Sequence, residues 1–343
     1  MFGHKINGIP QQAASLAQRA RVFGVASTSA SKDRPTIGLI TAIPEEYTAM
    51  RGLLEAPADE YVVGDPARYT LGVLPSRGVE PLHNVVLTML GGTATDAAAD
   101  GCAHMIRSFP SIRVIIMIGI AAGIPNVSRP EQHVRLGDIV VATDGIVDYD
   151  HVNVGPDGVR QRQGFPTPSA RLTRCVNILK SDELGGYRPW EQWLDITSRT
   201  GLAGYARPNG RKDVLRDDLG YPIDHPRRDR SGHRKGFPKV HYGLIGSADR
   251  AISDVATRDQ LAARHRLLAV EMEGAAIGAS SSLNGREWFV VRGISDYGDS
   301  QRDGTWRKYA SLVAGAYVRA LLANCLPMGY EDDHRNRKQV QLH

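Results

Sequence analysis

The chain has 343 residues, 42% of them apolar, enough for a sizeable core in one or two domains. Its formal net charge of +5 suits an anionic partner without identifying one. The three cysteines, Cys102, Cys175 and Cys325, are far apart and lack CxxC spacing, which argues against a metal site and predicts three inert thiols in a reducing compartment.

Residues 1–34 read as an N-terminal appendage, with a short helix over 11–23 and a Ser-, Lys- and Pro-rich linker over 27–35. From there strand and helix signals alternate. Strands are predicted at 36–41, 84–90, 113–118, 137–142, 240–246, 267–270 and 288–292. Helices are predicted at 45–54, 95–108 and 305–323, with a helix-like piece over 172–184. The longest apolar run, 114–124, is too short to span a bilayer and is broken by Gly119 and Gly123. No apolar signal segment opens the chain, so a cytoplasmic protein with no membrane partner is expected. Residues 151–239 interrupt the rhythm with Gly, Pro and charge and read as a basic insertion in one domain spanning 35–328. Residues 329–343 form a polar tail. The alternation predicts an α/β fold, a three-layer αβα sandwich around a central twisted mixed sheet.

The strand predicted at 288–292 runs into Gly293, Ile294, Ser295 and Asp296. An acid at the carboxyl end of a strand stands where open α/β sheets build their sites. Glu271 and Glu273 sit at the head of another helical segment, and Glu46 opens the first helix. Some acids have a structural alternative: Glu46 favours a helix N-terminus, Glu271 pairs with Arg292, and Asp299 and Asp303 cap the following turn and helix. Arginines and lysines crowd into 207–239. They form either a solvated basic loop or a phosphate-binding surface, for which Arg227, Arg228 and Arg230 are the candidates. No nucleic-acid-binding motif accompanies them, so no nucleic-acid partner is expected.

Five segments taken in order resemble the nucleoside phosphorylase and nucleosidase superfamily, in particular its methylthioadenosine/S-adenosylhomocysteine nucleosidase branch. They are Ile40 to Glu46, Met117 to Ile124, Leu136 to Val141, Glu271 to Glu273 and Arg292 to Asp296. The resemblance covers about 36–323. A narrower likeness, through Phe109 to Arg113, Val147 to Asp150, Tyr205 to Pro208 and Val240 to Ile245, is to the phosphorylase-like effector domains of fungal NOD-like receptors and bacterial antiphage systems. Some of those are nucleosidases that remove adenine from ATP.

The resemblance implies Asp296 as the acid at purine N7, with Ser295 orienting it, and Glu46 as the activator of water. It implies Glu273 on the ribose hydroxyls, Met272 against the sugar, and Ile120, Ala121, Ala251 and Ile252 lining the pocket. An acid in that role must keep its proton near neutral pH. Ala251 departs from the family, whose nucleosidases carry there a Phe that stacks on adenine. That departure and the nearby basic insertion shift the expected substrate from methylthioadenosine toward an adenine nucleotide such as ATP, without excluding an uncharged nucleoside. Glu46 at the first strand's end suits water better than phosphate as nucleophile. A phosphorylase and a non-catalytic nucleotide sensor remain the alternatives. No cofactor is implied, and homo-oligomers are common in the superfamily.

Overall fold

Nine strands form one mixed sheet in the computed structural model, which describes residues 34–78, 82–162, 165–198 and 202–328. The helix expected at 11–23 and the polar tail lie outside these residues. The sheet comprises β1 (Ile37–Thr41), β2 (Glu55–Glu60), β3 (Tyr69–Leu74), β4 (His83–Met89), β5 (Val114–Gly123) and β6 (Ile139–Asp148). Two hairpins stand apart, β7 (Val152–Gly155) with β8 (Gly158–Gln161) and β9 (Leu215–Arg216) with β10 (Pro222–Ile223). β11 (Val240–Ser247), β12 (Leu267–Glu271) and β13 (Glu287–Asp296) complete the main sheet, in the order β12-β11-β6-β13-β5-β1-β4-β3-β2.

β1 is buried throughout and runs parallel to β4 and β5, as an apolar central strand covered on both faces must. β13 is parallel to β5 and antiparallel to β6. One pairing goes beyond the expected sandwich. β12 meets β5 antiparallel, through Ala269 with Gly123 and Val270 with Ala122. The strands β5, β13, β6, β11 and β12 therefore close into a ring, and the other four extend from it as an open sheet.

The helices are α1 (Pro44–Leu53), α2 (Thr95–Ser108), α3 (Ala170–Leu184), the single turn α4 (Arg228–Ser231), α5 (Val255–His265), α6 (Gly274–Leu283) and α7 (Arg307–Ala323). α1 packs on α7, and α2 on α6. Every residue of α7 from Tyr309 to Leu322 is buried. Its backbone lies so close to β13 that a Cβ at position 293 would collide with the Ala310 carbonyl, which explains Gly293.

Several strands run longer than predicted. β5 continues through Gly119 to Gly123, because Gly119 makes room for neighbouring side chains rather than ending the strand. β2 escapes sequence reading because five of its six residues are exposed, leaving no apolar alternation at this charged sheet edge. The insertion is poor in apolar residues, yet Leu172, Val176, Leu179, Trp190, Leu202, Tyr205 and Leu215 all join the main core. Leu172, Val176 and Leu179 are buried positions of α3, and the other four come from short turns, a loop and β9. The Arg207 guanidinium lies 5.0 Å from the Trp306 ring and 5.2 Å from that of Tyr309. The expectation of three free thiols is corrected. Cys175 on α3 and Cys325 just beyond α7 form a disulfide with Cα atoms 5.7 Å apart, and Cys102 alone is a buried free thiol. Among the described residues, no helix is long and apolar enough to cross a membrane.

Candidate active site

Asp296 is the last residue of β13. The pairing of β13 with β5 shifts register between Ile294 and Asp296, so Ser295 forms a bulge that re-aims the strand end. Ser295 Oγ donates to Asp296 Oδ2 at 2.8 Å, and the Gly298 N–H donates to Oδ1 at 2.9 Å. Both carboxylate oxygens are thereby oriented by groups of the same short segment.

Glu46 is buried in the first turn of α1. Its Oε2 accepts the N–H groups of Ala42 at 2.7 Å and Ile43 at 3.2 Å, satisfying donors at the helix start. Its Oε1 accepts the Ile120 N–H at 2.8 Å. The structural role considered for this residue is therefore present, and it leaves one oxygen turned toward β5. Burial pushes the carboxyl up to about 7, against the pull of Arg292 and of the Ala42 and Ile120 N–H groups.

Arg292 lies inside β13 with no exposure, ion-paired with Glu271 and, at 3.3 Å, with Glu273 Oε2. Glu271 also accepts the N–H groups of Glu273 at 3.1 Å and Gly274 at 2.9 Å, which fixes the start of α6. Glu273 Oε1 accepts the Ala94 N–H at 3.3 Å, joining the loop before α2 to the site. Burial raises the Glu273 carboxyl, with Arg292 opposing and the charge of Glu271 adding to the rise. The Nη1 of Arg292 is buried without a hydrogen-bond partner among the described residues. A Cβ at Gly119 would strike both that Nη1 and Glu46 Oε1. A buried donor and a raised carboxyl thus sit side by side in the space that Gly119 leaves open.

Glu46, Glu271, Glu273, Ser295 and Asp296 line one cleft of about 300 Å³, and Arg292 lies outside its lining. Every pocket residue expected from the sequence lies on it: Glu46, Ile120, Ala121, Ala251, Ile252, Met272, Glu273, Ser295 and Asp296. Arg227, Arg228 and Arg230 do not. Arg227 pairs with Asp229 at 2.9 Å, and Arg228 donates to the Arg234 carbonyl at 3.3 Å. Basic lining comes instead from Arg250, Arg302 and Arg307, all exposed. Arg250 donates to Asp150 Oδ2 at 3.1 Å. Among the described residues no carboxylate pairs with Arg302 or Arg307. The sequence singles out neither; their one signal is that they follow Asp296, Arg302 in the turn before α7 and Arg307 at its first residue. Asp299 and Asp303 accept backbone N–H groups two residues on, at 2.9 and 2.8 Å, and so shape that turn.

Among the described residues, one group has a donor set suited to a metal ion: Asp138, His233 and His241, all buried. Both imidazole Nε2 atoms face Asp138 Oδ2, at 2.7 and 3.0 Å, and the Arg135 N–H reaches the same oxygen at 2.8 Å. The three side chains already satisfy one another, and none lines the cleft.

A ring-closed α/β sheet with carboxylates gathered at its strand ends defines an enzyme-like class of site. The chain belongs to the phosphorylase superfamily, whose model matches residues 36–323. It is 29% identical over 314 residues to a nucleotide-binding leucine-rich repeat (NLR)-like protein of Hyaloscypha variabilis, covering 87% of this chain and 30% of that protein. It is 25% identical over 305 residues to the 5′-methylthioadenosine/S-adenosylhomocysteine nucleosidase of Mycobacterium bovis, covering 84% and 95%. To the ATP nucleosidase Cap17 of Escherichia coli it is 23% identical over 292 residues, covering 83% and 50%. The chain thus spans under a third of the first relative and half of the third. Among solved structures, the methylthioadenosine/S-adenosylhomocysteine nucleosidase of Neisseria meningitidis superposes with a TM-score of 0.57 at 18% identity, over 84% of this chain and 98% of that one.

Proposed function

We propose that the chain is a purine N-glycosyl hydrolase that releases adenine from an adenine nucleoside or nucleotide. The carrying observation is the placement of Glu46, buried and raised to about 7, and Asp296, the bulge-aimed acid, on one cleft with Glu273 between the helix start and Arg292. The nucleosidase relatives support this reading. The C1′–N9 bond breaks with its electron pair passing into the purine, and Asp296 delivers a proton to N7 so that a neutral base leaves. Glu46 takes a proton from a water in the cleft, and the water oxygen bonds C1′. Solvent then carries a proton from Glu46 back to Asp296. The reaction consumes one water and yields adenine and the free sugar. Glu273 holds the ribose hydroxyls, and Met272 packs on the sugar. Glu46 favours water over phosphate, because a buried carboxylate repels an anionic nucleophile.

Arg250, Arg302 and Arg307 favour a substrate with a 5′-phosphate chain, since guanidinium groups match phosphate oxygens. The relative named an ATP nucleosidase supports this preference, and a nucleotide-depleting effector role follows from it. Oligomeric state is proposed as a homo-oligomer, to be read from light scattering.

Purified protein is incubated with ATP, AMP, adenosine, methylthioadenosine and S-adenosylhomocysteine, with and without phosphate, and products are separated. Adenine and free sugar are expected without phosphate. Phosphate-dependent formation of a sugar 1-phosphate would overturn the hydrolase reading. The Arg302→Ala, Arg307→Ala double variant is expected to raise KM for ATP on the order of tenfold, with KM for adenosine unchanged. Equal rises for both would remove the phosphate role.

A further inference from the structure

We infer that Tyr297 and Asp213 are positioning residues through which the basic insertion sets the aim of Asp296. The inference rests on the acid role proposed above for Asp296. Tyr297 directly follows the acid, at the end of a bulged strand that offers little ladder pairing of its own to hold it. It is 2% exposed and anchored at both ends. Its hydroxyl donates to Asp213 Oδ1 at 2.6 Å and accepts the Leu136 N–H at 3.2 Å, and its carbonyl accepts from Arg258 Nη1 at 2.8 Å. Burial, with the charge of Asp213 adding to it, keeps the Tyr297 phenol protonated well above its ordinary value, so it acts as the donor.

Asp213 comes from the insertion and is itself fixed. Arg135 pairs with its Oδ2 at 2.7 Å, and the His225 ring lies 3.3 Å from its Oδ1. Asp213 is 7% exposed and tied to the segment before β6, through Arg135, as well as to Tyr297. This arrangement gives the insertion a task that its surface arginines do not perform. It supplies the rigid anchor against which the acid-bearing turn is held. A rotation of Tyr297 would carry Asp296, one residue away, off the purine N7, while Glu46 and Glu273 on other elements would stay in place.

The test uses the full chain with Tyr297→Phe and Asp213→Asn, two changes that remove a hydrogen bond at nearly constant shape. Binding of adenine is compared with binding of 7-deazaadenine, which has no N7 acceptor. Wild-type protein is expected to prefer adenine about tenfold, as one charge-assisted hydrogen bond allows. In both variants that preference should collapse toward unity, with affinity for 7-deazaadenine unchanged. The turnover number for adenosine should fall on the order of 10- to 100-fold with little change in KM. Variants that keep the wild-type preference, or that lose affinity for both bases equally, overturn the inference alone. A wild-type protein that does not distinguish the two bases overturns the acid role of Asp296 and this inference with it.

Discussion

In the proposed reaction Glu46 serves both fold and chemistry. It completes the start of α1 with one oxygen and faces the cleft side of β5 with the other. Raised to about 7, it must lose its proton before it can accept one from water, so kcat/KM is expected to fall as pH drops below 7. Glu46→Gln should lower kcat by roughly 10²- to 10⁴-fold and abolish that limb of the profile; an unchanged limb would assign it to another group. The same shift has a thermodynamic sign. The folded protein holds this proton more tightly than the unfolded chain, whose ordinary value is 4.5. The associated stability is therefore fully present below about 4.5 and is lost as pH rises through 7. Thermal melts between pH 5 and 8 should show a decline in Tm that is flatter in Glu46→Gln than in wild type.

At the level of elements, the site depends on how closely β13 meets its neighbours. Gly293 admits the α7 backbone, and Gly119 admits Arg292 and Glu46. Gly293→Ala forces a Cβ against a carbonyl that cannot move without shifting a buried helix, and should destabilise the protein by about 1–3 kcal/mol or more. Gly155→Ala, where a Cβ meets open space, should stay within about 0.5 kcal/mol of wild type. Urea denaturation midpoints measure both, and comparable midpoints would show that α7 yields easily. The acids were legible in the sequence because each follows a strand or opens a helix, so local pattern alone placed Asp296, Glu273 and Glu46 at element ends. The arginines were not. Nearness in sequence to Ala251 stood in for nearness in space, but the insertion doubles back. α4 packs against the short helical turn Pro130–Gln132 rather than the cleft. The cationic rim comes from loops and one helix start, where no periodicity marks which side chains converge. The bulge at Ser295 and the pairing of β12 with β5 were illegible for the same reason, since both depend on partners more than a hundred residues away.

Across the whole molecule, the disulfide links residues 150 apart and ties α3 of the insertion to the end of the most buried helix. A loop of that length predicts roughly 2–5 kcal/mol of stabilisation, so reduction should lower Tm by several degrees. Thiol titration of unfolded protein should give one free cysteine before reduction and three after it; three before reduction would dissolve the link. The ring of strands has a different consequence. Ala122 and Val270, which both line the cleft, are partners in the ladder that closes it. The inner chamber therefore cannot widen there without breaking main-chain hydrogen bonds, and in the proposed reaction it is a mould of set dimensions for base and sugar. On the same proposal, selectivity for whatever hangs from the sugar falls to the exposed rim, where side chains can be exchanged without disturbing the mould. Descendants of such a scaffold can diversify their substrates by rewriting a few surface codons while the bond they cut stays the same.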